Sequence, residues 1–140
     1  MILDHCRNKE EFKKLYESRP MPHPYDFDFV MGNPNLFCFY DELKGFLRGF
    51  ITVQIENGLL TLSGVSIRKN MPDNIQAIIK VCNMFENRDM FAFTPLKHAA
   101  LVLKKAGFRK LDNDNTSEIY IRRSKKWEAL QKHQATQAQP

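Results

Sequence analysis

The chain has 140 residues, enough for one domain that buries a sizeable core without disulfides or metals. Apolar residues make up 43% of it and Phe occurs eleven times, which excludes an intrinsically disordered chain. The formal net charge is +5: residues 1–70 hold nine basic and nine acidic side chains, residues 71–140 twelve and seven, so the excess lies in the second half. Cys6, Cys38 and Cys82 are odd in number and far apart, a pattern of buried thiols in a reducing compartment. No apolar run approaches the ~20 residues that span a bilayer. Met1–Arg7 is too short for a signal peptide and carries Asp4, so the expected location is the cytoplasm.

In chain order, Met1–Cys6 reads as a short strand. Asn8 is an N-cap for a helix through Ser18, with Glu10 and Glu11 in its first turn and Phe12, Leu15 and Tyr16 on one face. Pro20, Pro22 and Pro24 then break regular structure. A long aromatic loop follows, with Tyr25, Phe27 and Phe29 alternating with Asp26 and Asp28. Leu36–Tyr40, Gly45–Glu56 and Leu59–Ile67 are strands, the last two joined by the hairpin turn Asn57-Gly58. Apolar alternation changes phase at Ser63-Gly64, which predicts a β-bulge.

A helix is expected from about Pro72 to Phe85, with Ile75, Ile78, Ile79, Cys82 and Phe85 on one face. Asp89–Phe93 is a short strand. In Leu96–Phe108 a further helix stops at Gly107 and Phe108 opens a strand, with Ala99, Ala100, Leu103 and Ala106 inward, Lys104 and Lys105 in the last turn, and Gly107 suited to the left-handed position past the helix end. Strands Phe108–Leu111 and Ser117–Arg122 flank a turn at Asp112–Thr116, whose calcium-loop likeness fails because Ser117 and Arg123 replace the required Gly and Glu. Residues 1–123 form the domain. Residues 124–140 are a polar, basic tail, partly disordered, with one or two helical turns around Trp127 and Leu130. His5, His23, His98 and His133 have no metal-ligand spacing, so no metal site is expected.

The helix–Gly–Phe–strand unit of LKHAALVLKKAGF, together with the order of elements, resembles the GNAT acyl-CoA N-acetyltransferases. The resemblance covers about residues 1–122 and implies an α/β fold: a mixed central sheet, an antiparallel meander followed by a parallel crossover, with helices on both faces. Ala99, Gly107 and Phe108 match the family's frame. Leu103 stands where the family has its acid tyrosine and Leu96 where it has an asparagine. The pyrophosphate loop becomes Arg68-Lys69-Asn70-Met71-Pro72-Asp73-Asn74, without glycine, with Pro72 lacking an amide hydrogen and Asp73 adding negative charge.

No catalytic residue is therefore assigned. Asp41, Glu42 and Glu56 are unmarked bases, and His98 is a surface residue. The expected reading is a GNAT scaffold that has lost acetyl transfer, needs no cofactor, and works as an interaction or assembly protein. Tyr25, Phe27, Phe29 and Trp127 form its partner surface. GFLRGFITV and LKKAGFRKL also resemble small GNAT-like head-assembly proteins of short-tailed bacteriophages, which implies capsid or injection proteins as partners and association with the virion. The alternative is a divergent acetyl-CoA-dependent N-acyltransferase that would hold its cofactor with Val65, Ile67, Arg68, Lys69 and Asn74. A third reading takes the basic cluster Arg122, Arg123, Lys125 and Lys126, with Trp127, as a nucleic-acid contact.

Overall fold

A computed structural model describes residues 1–18, 25–67, 71–111 and 118–137. The expected turn at Asp112–Thr116 lies outside them, as do Pro20, Pro22 and Pro24. The elements run β1 (Ile2–Asp4), α1 (Lys9–Glu17), α2 (Phe27–Met31), β2 (Leu36–Tyr40), β3 (Leu47–Glu56), β4 (Leu59–Ile67), α3 (Met71–Asn83), β5 (Met90–Phe93), α4 (Lys97–Lys105), β6 (Arg109–Lys110), β7 (Ile119–Arg122) and α5 (Lys125–Gln137). The seven strands make one sheet in the order β1-β2-β3-β4-β5-β7-β6. β1 to β4 form an antiparallel meander. α3 then carries the chain to β5, which lies parallel to β4, and β5, β7 and β6 pair antiparallel.

Two cores follow from the period-2 alternation of strand side chains. Phe37 and Phe39 of β2 face α3 and α4, packing with Ile51, Val53, Ala77, Val81, Leu103 and Phe108. Leu36, Cys38 and Tyr40 face the other way, against Phe12 and Leu15 of α1 and Val30 of α2. All five β2 residues are buried, which explains the unbroken apolar run LFCFY.

Asn8 caps α1 by accepting from the Glu11 N–H at 3.0 Å. Asn57 (φ 50°) and Gly58 (φ 79°) make the expected hairpin turn. The stretch around residues 25–31 is corrected from an aromatic loop to a helix. Asp26 accepts from the Phe29 N–H at 2.8 Å, and Val30 enters the core one turn after Phe27. β3 starts at Leu47 rather than Gly45, because Asp41–Phe46 closes as a turn with Gly45 at φ 70° and Asp41 accepting from Leu43 and Lys44. The buried stripe of α3 centres on Ala77, Ile78, Val81 and Cys82, with Ile75, Ile79 and Phe85 flanking it. Small Ala77 lets the helix approach the sheet.

The α4 terminus is a Schellman motif. Phe108 N–H donates to Leu103 O at 3.0 Å, Gly107 N–H to Lys104 O at 3.1 Å, and Gly107 sits at φ 100°. α5 is longer than the one or two turns expected. Ser124 is buried, its hydroxyl accepts from the Trp127 N–H at 3.1 Å, and the residues that follow are mostly good helix formers.

Candidate functional site

The sheet opens between β4 and β5. Among the described residues these strands pair only at Thr61↔Phe91 and Leu62↔Ala92. β5 then follows β7 to Phe93↔Ile119, while β4 continues along β3 to Ile67↔Gly49. The cause is the bulge foreseen at Ser63-Gly64. Thr52 pairs with Ser63 and Phe50 with Ser66, so Gly64 and Val65 together oppose Ile51. Thr52 Oγ1 donates to Ser63 O at 2.6 Å and lies 3.0 Å from Ser63 Oγ, tying β4 to β3 just before the bulge. Among the described residues, backbone groups of β4 beyond Leu62 therefore have no strand partner on their β5 side. Phe93 (53% exposed) and Leu96 stand at the β5 side of the opening, and Thr94 Oγ1 accepts from the Leu96 N–H at 3.2 Å.

The sequence-derived cofactor residues divide here. Val65 and Ile67 lie on β4 at and beyond the bulge, and Arg68 and Lys69 lie outside the described residues. Asn74 sits in the first turn of α3, only 9% exposed, and its Oδ1 has no hydrogen-bond partner. Its neighbour Asp73 forms an ion pair with Arg48 at 2.9 Å. Arg48 is itself the extra residue of a second bulge, where Phe39 pairs with Gly49 and Tyr40 with Leu47. No local pattern in the sequence could reveal this contact between residues 25 positions apart.

The side chains at the candidate proton-transfer positions have other roles. Leu103 is 5% exposed and belongs to the core under α4. Glu56 accepts from Gln54 Nε2 at 2.9 Å, and Glu42 pairs with the Met1 ammonium at 3.0 Å. The Lys44 and Leu43 N–H groups hold the Asp41 carboxyl below its ordinary range. His98 is exposed near the start of α4. Among the described residues, no cluster of His, Cys, Asp or Glu could hold a metal ion.

Of the four partner-surface residues, Phe27 and Phe29 lie on α2 with Tyr25 just before it, and Trp127 lies on α5. Phe27 packs on Phe12 and Tyr16, with ring centroids 5.8 and 5.6 Å away. Tyr25 stacks on Phe29 at 4.9 Å, and Phe29 is 54% exposed. Trp127, half-buried, lies under the Arg123 guanidinium at 5.0 Å on α5. An open concavity of about 500 Å³ lies between α1 and the start of β3, lined by Glu11, Lys14, Leu15, Ser18, Phe46 and Leu47. It is on the sheet face away from α3 and α4, and none of its lining residues belongs to β4 or β5.

No family model matches the sequence, and no curated protein matches it. Among solved structures, the fold is similar to a chain described as "Putative GnaT-family acetyltransferase from Bordetella pertussis", with a TM-score of 0.50 and 11% identity. The superposition covers 62% of this chain and 64% of that one, so this chain spans less than two thirds of its neighbour. The likeness is one of fold: a seven-stranded mixed sheet with helices on both faces, as in GNAT proteins. No helix among the described residues is long and apolar enough to cross a membrane.

Proposed function

We propose that this GNAT-fold chain does not transfer acetyl groups and serves as an interaction module in an assembly. The observation that carries the reading is Leu103. It occupies the position where the sequence resemblance implies an acid tyrosine, and it is packed among Phe108, Val102 and Ala106 with no proton to give. The start of α3 supports the same reading. A diphosphate there would need N–H donors and positive charge. Pro72 has no N–H, the Asp73 carboxylate stands in that turn, and the unpartnered Asn74 Oδ1 is an acceptor. These residues do not fit the diphosphate end of coenzyme A.

The acyltransferase reading retains one observation in its favour, the backbone edge of β4 beyond Leu62, which has no strand partner among the described residues and where an extended amide-bearing ligand could pair. Calorimetric titration with acetyl-CoA separates the two. The interaction reading expects no saturable heat, and stoichiometric binding at low micromolar concentration would overturn it. The assembly we propose is a bacteriophage head, on the resemblance of GFLRGFITV and LKKAGFRKL. Its test is whether antibody to this chain detects it on capsid precursors or finished particles, and whether heads fail to mature without it.

A further inference from the structure

All of the net positive charge lies beyond residue 96. Residues 97–137 hold ten basic and four acidic side chains, whereas the rest of the chain holds eleven and twelve. The fold gathers much of this charge at one corner. Arg122, the last residue of β7, donates to Asn83 Oδ1 at the end of α3 (3.3 Å), and a Cβ on Gly107, at the end of α4, would lie 3.3 Å from its Nε. Lys104 and Lys105 precede that glycine, and Arg109 follows it on β6, the outermost strand, where it pairs with Ile121 and so lies on the other face of this sheet edge from Arg122. α5 departs from the same place, with Lys126 in its first turn.

Two acids beside this corner are already engaged. Asp89 accepts from Arg123 Nη1 at 3.2 Å and from the Ser124 N–H at 2.8 Å, and Glu86 pairs with Lys125 at 2.8 Å. Lys104, Lys105, Arg109 and Lys126 are exposed and make no ion pair among the described residues.

We infer that this corner, built jointly from the end of α4, β6 and the root of α5, binds the phosphate backbone of nucleic acid. The inference goes beyond the interaction role by naming the partner and its surface, and it stands whether or not acetyl-CoA binds. Exposed cations on three elements match a polyanion with charges repeated along its length. An acidic protein partner would call for an apolar anchor at the centre of the surface. Here Phe108 and Tyr120 are buried, and Trp127 is half-buried and already covered by Arg123.

The test is fluorescence anisotropy of the full chain with a short labelled duplex DNA of arbitrary sequence, over a salt series. Binding should weaken linearly in log affinity against log salt. The combined Lys104→Gln, Lys105→Gln, Arg109→Gln variant should lose at least about tenfold in affinity at low salt and show a shallower slope, and a Lys9→Gln, Lys13→Gln, Lys14→Gln control on α1 should change by less than about twofold. If the first variant loses its melting transition, Lys126→Gln with Arg109→Gln carries the same expectation with fewer changes. Absence of binding at low salt, equal losses in both sets, or polyglutamate competing as well as DNA would each overturn the inference.

Discussion

Gly107 has to be glycine for two reasons that act together. Its φ of 100° is strained for any L side chain, and a Cβ would press toward the Arg122 guanidinium at 3.3 Å. Gly107→Val should therefore lower unfolding free energy by more than ~1 kcal/mol, read as a lower midpoint in urea with unchanged m. The thiols carry a second expectation at this scale. Burial pushes Cys38 up to about 12 and Cys82 up to about 11, the latter against the pull of Arg122. Both stay protonated in the fold at pH values where an unfolded thiol, with its ordinary pKa of 9.0, has ionised. Unfolding then releases protons, so stability should fall as pH rises from the unfolded value through the folded ones. A urea series across that alkaline range, compared with the Cys38→Ala, Cys82→Ala protein, would show the difference. At neutral pH an alkylating reagent should label the half-buried Cys6 well before the other two.

At the scale of elements, α2 shows how one short helix divides three aromatic residues. Phe27 closes the α1 core against Phe12 and Tyr16, with Lys9 and Lys13 at 5.8 and 5.9 Å from its ring. Phe29, two residues on, points outward and touches Tyr25. Phe27→Ala should cost about 2 kcal/mol, less than a fully buried ring, whereas Phe29→Ser should stay within about 0.5 kcal/mol. Thermal unfolding of the two variants checks this. If Phe29→Ser keeps its stability and still loses a partner, that ring belongs to the partner surface.

Across the whole molecule, stability is concentrated in the middle of the sheet. β2 is buried throughout, and β3 is buried from Leu47 to Val53 apart from Arg48. β6 is two exposed residues at the sheet edge, and the described side chains of α5 beyond Trp127 are exposed. Hydrogen exchange should accordingly leave β2 and β3 amides protected longest and release those of β6 and α5 first. Equal protection in α5 and β3 would mean that the C-terminal helix is part of the cooperative core.

Features that depend on neighbouring residues were legible from the sequence alone. Asn8 capping, the Asn57-Gly58 turn, the Gly107 terminus, the bounds of β2 and β4 and the bulge past Ser63 all arise from local backbone chemistry and alternation. The order of elements sufficed for the α/β sheet because few topologies accommodate a meander followed by a crossover. α2 is not legible in the sequence because five residues carry too little periodicity to separate a helix turn from an alternating loop. The Asp73–Arg48 pair, the engagement of Asp89 and Glu86, and the convergence of Arg122 on two helix ends join residues far apart in the chain. Only the tertiary structure decides these, because a side chain's charge is written in the sequence but its partner is set by which elements the sheet brings together.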